Sequence, residues 1–379
     1  MKKALLPLLL VIPLVACSTP MTAVSNLKAD SQGHFTEAQI NYLTNDDPSN
    51  TSPYNGNMSV SKPEPVTITW ESTRDDISYC VDFYKDIGEE GSPSNIIVSY
   101  STDKTSFDFY NPIFNQEYYV RVTGYKDGTS EKFKPSNVIS FKESPTVKGP
   151  RSLYVEGVEN FRDIGGWGYI KQGMIYRSGR FNEDKEETVK PSITENGLYE
   201  VNNHLKIKTE IDLRRVSTNE VGGLRETDSS VLGDRVNYIQ LPMAYGGNNI
   251  LTFKGKLSGD DYEYDNPGQI KWFFKYLSEE ENYPINFHCS IGKDRTGCMA
   301  YLVEGLLGFN QETMYRDYMF TNFANAGMCK LTDITDRYGA TLDKYENGST
   351  LQEKIYNYLN QEIGVSTEYL DKVIDILKA

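Results

Sequence analysis

Residues 288–297 read His-Cys-Ser-Ile-Gly-Lys-Asp-Arg-Thr-Gly, with a thiol and a guanidinium six positions apart. Backbone N–H groups in a loop between a strand and a helix form a concave nest for phosphate oxygens. Ser290, Ile291, Gly292 and Lys293 are therefore candidates to bind phosphate or substrate, and Gly292 allows a turn that a side chain would obstruct. Arg295 offers a fork of donors matching two phosphate oxygens. The same amides, the helix dipole and the nearby cation favour an ionised sulfur at Cys289. Such a sulfur can attack phosphorus in line and form a cysteinyl-phosphate. Charge developing on the equatorial oxygens then meets Arg295 and the loop amides, and water releases phosphate. No metal or other cofactor is needed for these steps.

These residues need a strand before them and a helix after them. Pro284-Ile285-Asn286-Phe287-His288 reads as a short strand, and Thr296 to Leu307 as a strongly apolar helix. Lys208 to Leu213 reads as another strand. Ile270 to Leu277 has helical spacing after the start signal Asp265-Asn266-Pro267. Leu351 to Leu359 and Thr367 to Leu377 read as two closing helices. Strand followed by helix, repeated, predicts an α/β domain over residues 151–379, with a central sheet flanked by helices.

The segment resembles the phosphate-binding loop of the protein tyrosine phosphatase superfamily. Its Gly-Lys-Asp-Arg-Thr-Gly version is similar to the bacterial tyrosine and phosphoinositide phosphatase branch. Asn160-Phe161-Arg162-Asp163-Ile164-Gly165-Gly166, Tyr176-Arg177-Ser178-Gly179-Arg180, Ile211-Asp212-Leu213-Arg214 and Asp317-Tyr318 with Thr321-Asn322 resemble further blocks of that branch, in order across about residues 155–377.

The resemblance implies Cys289 as nucleophile and Arg295 as phosphate clamp. His288 would orient the loop and Thr296 would hydrogen-bond Cys289, although either could be purely structural. Lys293 could admit a second phosphate or an acidic neighbour, or face solvent. None of the three tryptophans is followed by Pro-Asp, so the general acid of the eukaryotic branch is absent. Asp294, inside the loop as in related lipid phosphatases, is the first candidate. Asp212, at a strand end, is the second, unless it holds a loop through backbone bonds; Asp234 is a remote third. Arg162 and Asp163 are expected to brace the loop by a salt bridge, or Arg162 to reach the substrate. Arg177, Arg180 and Arg214 could form a positive rim. Cys298 reads as packed, with a protective disulfide to Cys289 conceivable. The stretch from Met243 to Asp265, with Tyr245, Tyr262 and Tyr264, reads as a lid or a solvated insertion.

The rest of the chain reads as separate pieces. Met1-Lys2-Lys3, an apolar run to Ala16 and the tetrad Leu14-Val15-Ala16-Cys17 resemble a lipoprotein leader (residues 1–17), lipidated at Cys17. That implies export and anchoring in a bacterial cell envelope. Residues 18–62 read as a polar tether with a short helix near Thr36 to Leu43. Residues 63–143 carry six period-two runs, Val66–Trp70, Tyr79–Phe83, Ile96–Tyr100, Ser106–Phe109, Tyr118–Val122 and Val138–Phe141, the spacing of a β-sandwich. Glu117 to Val122 resembles the penultimate strand of fibronectin type III domains, with Trp70 in the core and Tyr118 at a loop corner. Residues 144–150 read as a linker. The fold class is thus a two-domain chain, an N-terminal β-sandwich followed by an α/β phosphatase domain.

The 379 residues include 39 Lys and Arg against 53 Asp and Glu, a formal charge of -14 that excludes a free-standing nucleic-acid binder. The five cysteines form no C-x-x-C pair and only three histidines are present, which disfavours a Cys- or His-rich metal site. The expected substrate is a phosphorylated protein, phosphotyrosine first, or a small phosphomonoester. Phosphoinositides, and a binding lipoprotein without catalysis, are the alternatives.

Overall fold

The computed structural model describes residues 22–50, 61–88, 91–182, 193–216, 229–245, 249–324, 329–342 and 348–379. The leader and Cys17 lie outside them. Among the described residues no helix is long and apolar enough to cross a membrane.

The N-terminal part begins with β1 (Val24–Ser31) and α1 (Glu37–Leu43). Six strands follow: β2 (Val66–Ser72), β3 (Ile77–Ile87), β4 (Pro93–Thr102), β5 (Ser106–Phe109), β6 (Glu117–Lys126) and β7 (Ile139–Lys142). Each overlaps one of the six expected runs. They form two sheets, β1-β2-β5 and β4-β3-β6-β7. Alternation places Ile68 and Trp70 of β2 inward, and Trp70 meets the Tyr79 ring edge-on at 5.1 Å. The Tyr118 hydroxyl accepts a hydrogen bond from the Ile113 amide at 2.8 Å.

Packing divides the chain into two units. One holds residues 22–28 with Ile68–Phe107 and Tyr119–Ile139; the other holds Ala29–Thr67, Asp108–Tyr118 and Ser140–Ala379. The stretch expected as a tether therefore contains an ordered strand and a capped helix, and most of its described residues belong to the second unit. In α1, Thr36 and Gln39 form a capping box. Tyr42 is buried with its ring centroid 5.6 Å from that of Phe323. Arg316 donates to the carbonyls of Tyr42 (3.2 Å) and Asn45 (2.6 Å). The expected linker is also packed: a Cβ on Gly149 would lie 2.5 Å from Leu43 Cδ2. A seven-residue helix shows too little periodicity to separate these contacts from a polar run.

The second unit is built on a six-stranded sheet. Its strands are β8 (Arg151–Ser152), β9 (Arg162–Asp163), β10 (Ile175–Ser178), β11 (Thr209–Asp212), β12 (Asn237–Gln240) and β15 (Ile285–His288), with β13 (Lys254–Lys256) and β14 (Glu263–Asp265) forming a separate ribbon. The order is β12-β11-β15-β10-β9-β8. The first four are parallel, and β9 and β8 join antiparallel. The register aligns Asp212, His288 and Ser178 across the carboxyl ends of β11, β15 and β10. Binding sites of parallel sheets form at such ends.

The helices are α2 (Glu195–Tyr199), α3 (Asn266–Leu277), α4 (Asp294–Leu306), α5 (Gln311–Phe320), α6 (Leu331–Ile334), α7 (Ala340–Leu342), α8 (Leu351–Asn357) and α9 (Thr367–Leu377). In α3, Asp265 caps the start and Ile270, Phe273, Phe274 and Leu277 face the core. Every residue of α4 from Arg295 to Leu306 is buried, Arg295, Thr296 and Glu304 included.

Candidate active site

The peptide from His288 to Arg295 runs from the end of β15, through a tight loop, into the first turn of α4. The loop's carbonyls are held from outside. Ser290 O accepts from the Arg180 amide and from Arg180 Nη1, both at 3.1 Å. Asn160 Nδ2 donates to Ile291 O (3.2 Å) and Gly292 O (3.1 Å). Arg177 Nη2 donates to Gly292 O at 2.8 Å. Three successive loop carbonyls are thus held by donors from outside the loop. Gly292 has φ +72°, and a Cβ there would sit 2.6 Å from Ser178 O, so only glycine fits the turn.

Cys289 starts the loop and is 2 % exposed. Arg295 follows on α4 with its Nη1 donating to Leu213 O (3.3 Å) and Met243 O (3.5 Å). Its guanidinium carbon lies 4.2 Å from the Tyr245 ring centroid. His288 is buried beneath the loop. Its Nε2 lies 2.8 Å from Glu210 Oε1 and its Nδ1 lies 3.1 Å from Cys289 O. The imidazole is held on both sides, as an orienting role for the loop requires. The Thr296 hydroxyl is buried and hydrogen-bonds to nothing among the described residues. The expected bond to Cys289 is not made.

The two acid candidates are placed differently. Asp212 accepts from the Arg214 amide (2.9 Å), from Arg214 Nη2 (2.6 Å) and from the Tyr238 hydroxyl (2.9 Å). Burial alone would raise its pKa, but the Arg214 guanidinium, His288 and these hydrogen bonds outweigh it and hold the carboxyl below the ordinary range. A carboxylate so engaged is a poor proton donor. Asp294 opens α4 half-buried, with its carbonyl accepting from Tyr338 Oη at 3.0 Å. Asp234 is exposed in the turn before β12. It lies at the opposite end of the parallel strands from Cys289, which removes it from the site.

The expected arginine rim is corrected: its members are struts. Arg162 does not pair with Asp163, because neighbours on a strand face opposite sides. Arg162 Nε lies 3.2 Å from Asp317 Oδ1, whereas Asp163 binds Arg151 at 3.0 Å. Arg177 pairs with the other oxygen of Asp317. Burial pulls the Arg162 pKa down to about 10 against the opposing pull of Asp317. Arg162 and Arg177 are both fully buried, with Arg162 on Asn160 and Asp317 and Arg177 on Gly292 O and Asp317, so they brace the loop. Arg180 holds Ser290, and Arg214 holds Asp212. Lys293 Nζ lies 3.9 Å from Asp333 Oδ2 of α6.

Residues 153–379, more than half of the chain, match the sequence model of the tyrosine phosphatase family. The chain belongs to this family. Within this chain, the matched segment carries the whole site described above. A Cupriavidus necator protein named as a tyrosine-protein phosphatase is 23 % identical over 205 residues, which cover 48 % of this chain and 67 % of that protein. The core catalytic domain of the PP-IP phosphatase SIW14 from S. cerevisiae, in complex with citrate, is 18 % identical. It matches with a TM-score of 0.32, over 56 % of this chain and 92 % of that one. A second Siw14 catalytic core matches at 16 % identity and a TM-score of 0.28, over 50 % and 82 %. Neither structural likeness carries weight at such scores.

Glu210, Asp212 and His288 of this phosphatase bring their ligand atoms within 4.8 Å of one another. Their lone pairs are already committed, to Ser230 and His288 for Glu210 and to Arg214 and Tyr238 for Asp212. A cation there would also face the Arg214 guanidinium. The cluster fits a hydrogen-bonded support better than a metal centre. Four residues of the site received no role from sequence alone: Asn160, Glu210, Asp317 and Tyr245. Glu210 had the clearest signal, an acid in the middle of a buried strand, where burial demands a partner.

Proposed function

We propose that this chain hydrolyses phosphate monoesters through a phosphoryl intermediate on Cys289, with phosphotyrosine as the leading substrate. The observation that carries the reading is the set of outward-held carbonyls at Ser290, Ile291 and Gly292 beside Arg295. The Cys289 sulfur attacks phosphorus as the P–O bond to the leaving group breaks. The leaving oxygen takes a proton from Asp294, since Asp212 is committed to Arg214. Water then attacks phosphorus, Asp294 recovers a proton from it, and the sulfur departs as thiolate. Arg295 and the loop amides carry the equatorial charge throughout.

Pairing of Lys293 with Asp333 and the acidity of the chain disfavour substrates with several phosphates, which supports phosphotyrosine over phosphoinositides. The sheet orders support a fibronectin type III-like N-terminal sandwich. Lipidation at Cys17, with export to the cell envelope, completes the proposal. Loss of labelled fatty acid from C17S, with retention in wild type, is the check on that part.

The central test is turnover of p-nitrophenyl phosphate and of phosphotyrosine, phosphoserine and phosphoinositide substrates. Wild type is expected to prefer phosphotyrosine, to retain radiolabelled phosphate on acid quench and to lose both in C289S. No turnover by wild type, or turnover retained in C289S, overturns the reading.

A further inference from the structure

Arg295 is gripped on more than its hydrogen-bonding edge. Its Nη1 corner meets the carbonyls of Leu213 and Met243, while the Tyr245 ring centroid lies 4.2 Å from its guanidinium carbon. The same ring has a second cation against it, Arg215, at 5.1 Å. Arg215 in turn lies 3.6 Å from Asp260. One aromatic ring thus meets two guanidinium groups, one from the phosphate site and one held by the excursion between β12 and α3. The segment from Met243 to Asp265 thereby reaches the site through Tyr245.

We infer that Tyr245 is a positioning residue for Arg295, and that Arg215, held by Asp260, fixes Tyr245 in place. The inference deepens the proposed function, because it rests on Arg295 receiving the phosphoryl group. An arginine on a flexible stem must lose rotamer freedom to bind two oxygens at once. A ring on its face makes that loss before substrate arrives, and the attraction of cation to ring holds the plane. Two carbonyls at one corner restrain the position of Nη1, and the ring adds a restraint from a second direction. The ring face does this work, so the phenol hydroxyl is dispensable.

The experiment compares Y245F and Y245L in the C289S background, using tungstate as the oxyanion probe. Y245L is expected to weaken tungstate binding about tenfold, and Y245F to recover to within about threefold of its parent. R215A is expected to weaken binding in the Tyr245 background and to add nothing to Y245L. Equal losses in Y245F and Y245L, or a loss from R215A that persists in Y245L, overturn the inference. The Arg295 Nε–Hε resonance, assigned by its loss in R295K, supplies a readout independent of anion binding. It should carry a ring-current shift in wild type and Y245F that vanishes in Y245L. If wild type does not turn over ester and the C289S parent does not bind tungstate, the proposed function fails, while this resonance still decides whether Tyr245 holds Arg295. An unshifted resonance in wild type rejects the inference.

Discussion

Arg177 donates from Nη2 to the carbonyl oxygen of Gly292 at 2.8 Å. The turn of the phosphate loop is therefore suspended from β10, the strand beside the one that leads into it. The guanidinium can do this because Asp317 of α5 neutralises it, and the same carboxylate serves Arg162. Two cations, the Asp317 carboxylate with the Glu304 carboxyl beside it, and one loop carbonyl form a single buried unit.

D317N should expose this dependence. The amide is nearly isosteric but removes the carboxylate that both buried guanidinium groups contact. Breaking a buried pair typically costs about 3–5 kcal/mol. Urea unfolding of D317N is expected to show a loss in that range, with weaker tungstate binding at temperatures where the protein is still folded. A variant as stable as wild type would mean that Asp317 is not the counterion.

The turn itself predicts a more local defect. A methyl group at residue 292 meets Ser178 O, and its backbone lies at φ +72°. Strain of this kind costs about 1–3 kcal/mol, and relieving it would rotate amides away from the anion. G292A is expected to lower kcat/KM by at least about a hundredfold, as loss of an oxyanion donor does. The fold should survive, seen as near-native circular dichroism. Wild-type turnover in G292A would show that the turn has room.

Asp294 and Asp212 separate by pH. In D294N, kcat for an alkyl or aryl ester with a poor leaving group should drop about 10²–10⁴-fold. The drop should be much smaller for p-nitrophenyl phosphate, and the limb of the profile that reports the acid should vanish. D212N should keep that limb and lose stability instead. The Asp212 carboxyl is held below its ordinary range: burial opposes this, and Arg214 and His288 prevail. Its stabilisation is therefore present above the unfolded aspartate pKa of about 3.9 and lost as pH falls through the lower folded value. The stability gap between wild type and D212N should be widest near neutrality and shrink below about pH 4. Loss of the acid limb in D212N would reverse the assignment.

The loop, its strand and its helix were legible because their signals are local: ten contiguous residues between a short apolar run and a long one. The arginines were not. Arg177, Arg180 and Arg214 look in sequence like a positive surface, yet they lie in or beside buried strands of the sheet, where a charge persists only if paired. The partner of Arg177 is 140 positions away, and no periodicity announces it. Asp212 was correctly seen at a strand end, but only its distances to Arg214 and Tyr238 distinguish a fixed support from a proton donor. Tyr245 appeared as one tyrosine of a polar stretch, with nothing local to show that its ring meets Arg295.

The segment before the sandwich yields the last prediction. Residues 29–67 belong to the same packed unit as the phosphatase core, although the family match begins at residue 153. Tyr42 fills a site against Phe320 and Phe323, and its hydroxyl donates to Pro48 O at 2.9 Å. Phe323 follows α5, which carries Asp317, so this contact backs the element that holds Arg162 and Arg177. Truncating a buried aromatic to alanine costs about 3–5 kcal/mol. Y42A is expected to lower Tm and the urea midpoint accordingly, and to accelerate loss of activity on heating. A protein that starts at residue 151 should fare worse, because it lacks α1 altogether and bares the apolar surface under Tyr42 and Leu43. It is expected to bind a hydrophobic dye and to aggregate unless residues 29–50 are supplied as a peptide. Full stability of the isolated 151–379 chain, measured by calorimetry, would show that α1 merely rests on a self-sufficient core.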